Sequence, residues 1–169
     1  MNNDHYCKKE FTDKMWSPAI VLYLKMMFHM WENRDIEKLD DEKIASHIKE
    51  LLIDKFNIVP NFVDENREYS TPAFILAAKM DLPHTLKMLL DNGANINIRG
   101  DIDNTALMSA AFCNNHEIVL ILIHRGAEIN AIDDGGANAI DYAMIENEDN
   151  CLSVRILYKN GLNPSNDFD

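Results

Sequence analysis

Leu89-Leu90-Asp91-Asn92-Gly93-Ala94-Asn95-Ile96-Asn97 returns further along the chain as Leu122-Ile123-His124-Arg125-Gly126-Ala127-Glu128-Ile129-Asn130. Gly93 and Gly126 lie 33 residues apart, Ala77-Ala78 recurs as Ala110-Ala111 at the same interval, and Ala110 recurs as Ala143. Landmarks that keep one period mark an internal repeat, and a period between about 20 and 50 residues marks stacked supersecondary units.

Each unit has a physical logic. Thr71-Pro72 places a hydroxyl that can cap free amides just ahead of a proline, whose missing N–H costs nothing in a first helical turn. That predicts a helix start. The paired alanines are small enough for neighbouring helices to approach closely. A second apolar helix then runs through Leu86, Leu89 and Leu90 in one unit and Ile118, Val119 and Leu122 in the next. Gly93 and Gly126 fall where a left-handed C-cap ends a helix, a conformation glycine adopts without steric cost. A polar loop leads on to Thr105 or Asn138.

These features resemble the ankyrin repeat family, whose unit is a turn and two antiparallel helices of about 33 residues. The family's Thr-Pro-Leu-His-x-Ala-Ala signature is seen as Thr71-Pro72 with Ala77-Ala78, and as Thr105-Ala106-Leu107-Met108-Ser109-Ala110-Ala111. Its Leu-Leu-x-x-Gly-Ala-Asp-Val-Asn ending is matched at Leu89 to Asn97 and at Leu122 to Asn130. The resemblance is specific over Thr71 to Asn130 and implies an all-α solenoid of stacked helix pairs.

Outside that stretch the pattern departs. The first unit has one extra residue between Thr71 and Ala77, which predicts an offset in its first helix. A third unit keeps Ala139-Ile140-Asp141-Tyr142-Ala143, but Ala143 to Gly161 is 18 residues where Ala110 to Gly126 is 16. The surplus falls in the polar run Glu146 to Asn150. Leu162-Asn163-Pro164 after Gly161 reads as a terminal cap. Upstream, Leu51 to Phe56 resembles the end of a second helix. Thr12–Asn33 and Asp40–Phe56 are read as two helices of a divergent N-terminal cap, the first with an apolar stripe of Trp16, Ile20, Leu24, Met27 and Trp31. The division is one domain over 1–169: a cap at 1–61, repeats at 62–97, 98–130 and 131–164, and a tail at 165–169.

Composition narrows the function. The chain is 47% apolar and 26% charged, a globular balance. Its 16 Lys and Arg against 28 Asp and Glu give a net charge of −12, which repels phosphate backbones and anionic membranes and favours a basic protein as partner. Cys7, Cys113 and Cys151 fit neither a disulfide framework nor a zinc ribbon, so a reducing compartment is expected. The most apolar stretch, Ala19 to Trp31, is too short to span a bilayer of roughly 30 Å and is split by Lys25. It is also a poor secretion signal, which points to a cytoplasmic protein.

Catalytic motifs are missing from the sequence: there is no glycine-rich phosphate loop, no nucleophile elbow, and no histidine pair at metal-ligand spacing on a helix. His5 and Cys7 are too few to hold a metal, and His116 and His124 sit at the two exposed ends of one second helix. Asp101-Ile102-Asp103-Asn104 and Asp133-Asp134-Gly135-Gly136 read as turns, because neither is followed by the bidentate Glu of a calcium loop. No cofactor and no metal are expected.

The resemblance implies a partner-binding surface built from loop tips and first helices. On this sequence it maps to Lys79, Met80, Arg99, Asp101, Ile102, Asn104, Phe112, Cys113, Ile132, Asp134, Ile145 and Glu146. Phe112 is the expected anchor. Together with the acidity this suggests a non-enzymatic protein, monomeric when free, that inhibits a basic toxin or enzyme in the manner of an immunity protein. The alternative is a delivered effector that binds a host factor.

Overall fold

The first helix of each unit begins at the same phase: α2 spans Ala73–Lys79, α4 spans Ala106–Phe112 and α6 spans Ala139–Glu146. The second helices are α3 (Pro83–Asp91), α5 (His116–His124) and α7 (Leu152–Lys159), and among the described residues one helix, α1 (Asp41–His47), precedes them all. The structure is a computed structural model that describes residues 40–50, 71–146 and 152–162. Among the described residues there are seven α-helices and no strand, as an all-α solenoid requires.

Two rows of helices carry the stack. First helices pack on first helices, α2 on α4 and α4 on α6, while α3, α5 and α7 follow one another in the second row. Helix α1 packs against α3, so it extends the second row at its N-terminal side. The predicted helix Asp40–Phe56 is thus present as Asp41–His47, capped by Asp40, whose side chain accepts from the Lys43 amide. Residues 51–56, the helix read over Thr12–Asn33, Cys7, Cys151 and the polar run 147–150 lie outside the described residues.

Small side chains set the spacing between rows. Ala77, Ala78, Ala110, Ala111 and Ala143 are fully buried, and Phe74, Leu86, Leu89, Leu107, Ile118 and Leu122 fill the space between them and the second row. Burying each large aliphatic side chain contributes about 1.5–3 kcal/mol, so the continuous seam across units is the main stabilising term.

Helix ends follow the period too. Gly93, Gly126 and Gly161 have φ of 90°, 84° and 89°. In each case the glycine amide reaches back three residues, and the amide after it reaches back five, as in Ala94 N to Leu89 O at 2.9 Å and Ala127 N to Leu122 O at 2.9 Å. This is the Schellman arrangement, and Leu162 completes it at the end of α7 by donating to Leu157 O at 3.2 Å.

The helix starts bring one correction. Thr71 does not cap α2: the cap position is Pro72, with no side-chain hydrogen bond. Pro72, Thr105 and Asn138 occupy equivalent places, so the extra residue lies ahead of the helix and α2 is not displaced. Thr105 does cap α4, its hydroxyl accepting from Met108 N at 3.3 Å. Asn138 caps α6 by accepting from Ile140 N at 2.8 Å, and Asp141 returns the favour by accepting from Asn138 N at 2.7 Å.

Candidate functional site: the acidic loop edge

Helices of seven to nine residues leave the polar segments 95–105 and 128–138 side by side at one edge of the stack. Each segment closes on itself. Gly100 N donates to Asn104 O at 2.9 Å, and at the equivalent place Asp133 N donates to Ala137 O at 2.9 Å. Asp133 tightens the second loop further: one carboxylate oxygen accepts from Gly135 N at 2.9 Å and Ala137 N at 2.8 Å, and the other accepts from the Tyr142 hydroxyl at 2.8 Å.

This network decides two protonation states. Burial opposes the charge on Asp133, but the Tyr142 hydroxyl and the loop amides outweigh it and hold its pKa below the ordinary value. Tyr142 is pushed up to about 12, by burial first and then by its hydrogen bond to the Asp133 carboxylate and that group's charge. At neutral pH the pair is therefore a charged acceptor and a neutral donor.

The loops are also tied to each other. Asp134 N donates to Ile102 O at 3.0 Å, and Glu128 N donates to Asn97 Oδ1 at 2.9 Å. Arg99 reaches across: its Nη1 donates to Asp103 O at 2.8 Å and to Ile132 O at 2.9 Å. The same guanidinium lies 3.5 Å from the Asp103 carboxylate and 3.6 Å from that of Glu128. The only base on this edge, among five carboxylates at Asp101, Asp103, Glu128, Asp133 and Asp134, is thus spent on internal contacts.

The residues expected from sequence separate into groups. Asp101, Ile102, Ile132 and Asp134 stand exposed on the loop edge, with both isoleucines 52% accessible. Arg99 and Asn104 belong to the same loops but are half-buried, Asn104 donating from Nδ2 to Ser109 Oγ at 3.3 Å. Phe112 is half-buried and meets the Tyr142 ring edge-on, with centroids 6.4 Å apart at 73°. Ile145 is 64% accessible near the end of α6, where Glu146 is the last residue. Lys79, Met80 and Cys113 sit at the opposite ends of the first helices. Lys79 is exposed, Cys113 is half-buried, and Met80 is only 8% accessible, packed into the core.

Four organising residues, Asp133, Tyr142, Asn97 and Glu128, were not among those assigned to the binding surface from sequence. Asn97 had a signal, since it recurs as Asn130 in the repeated ending. The contact between Asp133 and Tyr142 had none, the two being nine residues apart with no counterpart in the preceding unit.

Two sequence expectations can be placed directly. His116 and His124 are the first and last residues of α5 and both are exposed. The two Asp-rich segments form turns, at 101–103 and 134–136. Among the described residues no helix is long and apolar enough to cross a membrane.

Comparison with known proteins adds the following. The sequence model of ankyrin repeats, in three copies, matches residues 42–133 and 74–167. The chain is 30% identical over 130 residues to ankyrin repeat and SAM domain-containing protein 6 of Rattus norvegicus, covering 71% of this chain and 15% of that protein. Over 99 residues it is 35% identical to a glycerophosphocholine phosphodiesterase of Schizosaccharomyces pombe, covering 58% of this chain and 8% of that enzyme. Over 100 residues it is 33% identical to an ankyrin repeat protein of Acanthamoeba polyphaga mimivirus, covering 58% of this chain and 62% of the viral protein. In each case the chain spans less than two thirds of the relative's length.

Proposed function

The chain belongs to the ankyrin repeat family, a family of protein-protein interaction modules, and from that premise we propose that it is a non-enzymatic binder that occludes a basic protein. The observation that carries the reading is the charge of the loop edge. Five carboxylates stand there against one arginine, and that arginine is consumed within the protein. Such an edge draws in a positively charged surface and repels an acidic one. The use we assign to such a binder is that of a cytoplasmic inhibitor of immunity type, monomeric until it meets its target, and the net charge of −12 supports a basic target for it.

The phosphodiesterase activity of the yeast relative is not carried over, because the match covers 8% of that enzyme. A second reading, in which the same edge engages a protein of a host cell, draws on the same charge, since a basic surface of a host protein meets the edge equally well. Delivery of a tagged copy into host cells would separate the two.

The test is affinity capture followed by association kinetics. Raising salt from low to physiological strength is expected to slow association, since exposed charges are screened beyond about 8–10 Å. Asp101→Asn with Asp134→Asn is expected to reproduce that slowing without salt, leaving dissociation less changed. Salt-independent association with the captured protein overturns the reading.

A further inference from the structure

The two loops behave as one object, and what they hold in place is unusual. Ile102 and Ile132 are each half-exposed beside the seam between the loops: Ile102 gives its carbonyl to Asp134 N, and Ile132 gives its carbonyl to Arg99. The half of each branched side chain that stays in water contributes nothing to folding. Its burial by a partner would contribute about 25 cal/mol per Å² of apolar area. Asp101 and Asp134 are exposed on the same two loops, and among the described residues no basic side chain pairs with either. The loops therefore present apolar side chains bordered by unneutralised carboxylates.

We propose that the loops 95–105 and 128–138 form one preformed ledge whose occupant is a protein segment carrying an apolar side chain between basic ones. The inference rests on the binding role argued above and specifies the partner's chemistry. The apolar side chain covers Ile102 and Ile132, and the flanking lysines or arginines meet Asp101 and Asp134. A purely basic segment leaves the isoleucines wet. A purely apolar one leaves the carboxylates without a partner.

Arg99 is the positioning residue. It holds two carbonyls and faces two carboxylates from both loops, a set that only a planar five-donor group can serve at once. By tying Ile132 O and Asp103 O together it fixes the isoleucines before a partner arrives, which lowers the ordering cost of binding.

The experiment uses the full chain with methyl-labelled isoleucines and three synthetic peptides: Lys-Lys-Leu-Lys-Lys, Lys-Lys-Ser-Lys-Lys and Glu-Glu-Leu-Glu-Glu, all with blocked ends. The leucine-lysine peptide is expected to shift the Ile102 and Ile132 methyl resonances saturably. The serine peptide should bind about fivefold or more weakly, the factor expected from losing one partly buried aliphatic side chain. The acidic peptide should not bind. Asp101→Asn with Asp134→Asn should weaken the leucine-lysine peptide by a similar factor. Arg99→Lys, which keeps the charge, should speed amide exchange at Asp134 and weaken the peptide while leaving the salt slope unchanged.

Equal binding of the leucine and serine peptides overturns the proposal, as does binding that shifts methyls elsewhere or no binding by any peptide. These failures are distinguishable from failure of the parent reading. If a captured partner still associates in a salt-dependent manner through Asp101 and Asp134, the acidic edge stands and only the segment chemistry falls.

Discussion

At the scale of the residue, three side chains and one glycine decide how firmly the loop edge and its helices are held. Gly126 takes a φ of 84°, and apart from its chain neighbours nothing lies within 4 Å of where a Cβ would stand, so a substitution there is strained by backbone conformation alone. Gly126→Val is expected to destabilise by about 1–3 kcal/mol, read as a lower melting temperature; an unchanged melt would remove the glycine from the C-cap role. Tyr142 has a folded pKa of about 12 against an ordinary 10.0, so the stability it contributes is complete below pH 10 and is lost as pH rises toward 12. Asp133 behaves oppositely: its folded pKa is lowered from 3.8, so its contribution is present above that value and is lost as pH falls through the folded one. Tyr142→Phe is expected to remove the decline between pH 10 and 12 that wild type shows in denaturant titrations. Phe112 touches the Tyr142 ring, so losing that ring contact alone makes Phe112→Ala cost about 0.5–1.5 kcal/mol of stability, with the lost burial added to it, even before any partner is considered.

At the scale of the element, the junction between α1 and the first full unit depends on one carboxylate. Asp41 accepts from His84 N at 2.5 Å, Thr85 N at 2.9 Å and the Thr85 hydroxyl at 2.7 Å, which satisfies the free amides at the start of α3. Asp41→Ala is expected to cost about 1.5–3 kcal/mol, the range for hydrogen bonds to a charged group, and amide exchange at Thr85 should speed up with it. Protection unchanged at Thr85 would mean that α1 docks by its apolar side chains Ile44 and Ile48 alone. Similar polar links recur further along: Asn115 Nδ2 donates to Ala78 O at 2.8 Å, and Ser153 Oγ donates to Asn114 Oδ1 at 2.9 Å. The period, the paired alanines and the terminal glycines were legible in sequence because each recurs at a fixed interval and obeys a local rule. The links were not. Asp41 and Thr85 are 44 residues apart and Asn114 and Ser153 are 39 apart, so neither pair keeps the period of 33. The loop seam was hidden for another reason: its bonds run through backbone groups that every residue carries. Sequence did mark Asp101, Ile102, Ile132 and Asp134 on the loops, yet it could not show that Arg99 is turned inward or that Met80 is buried.

At the scale of the whole molecule, the stack is a line of units joined only to their neighbours, so its stability is close to a sum of unit terms and junction terms. The seam at Asp134 and Ile102, with Arg99 spanning it, belongs to a junction term. Anything that occupies the ledge binds two consecutive units at once and adds its own free energy to the coupling between them. A bound segment at 100 times its Kd should therefore raise stability by about 2.7 kcal/mol, and in native-state exchange the gain should appear in both units together. The seam thus makes the protein's cooperativity a quantity that a partner can tune: the same contact that recognises the segment also sets how far an opening in one unit propagates into the next.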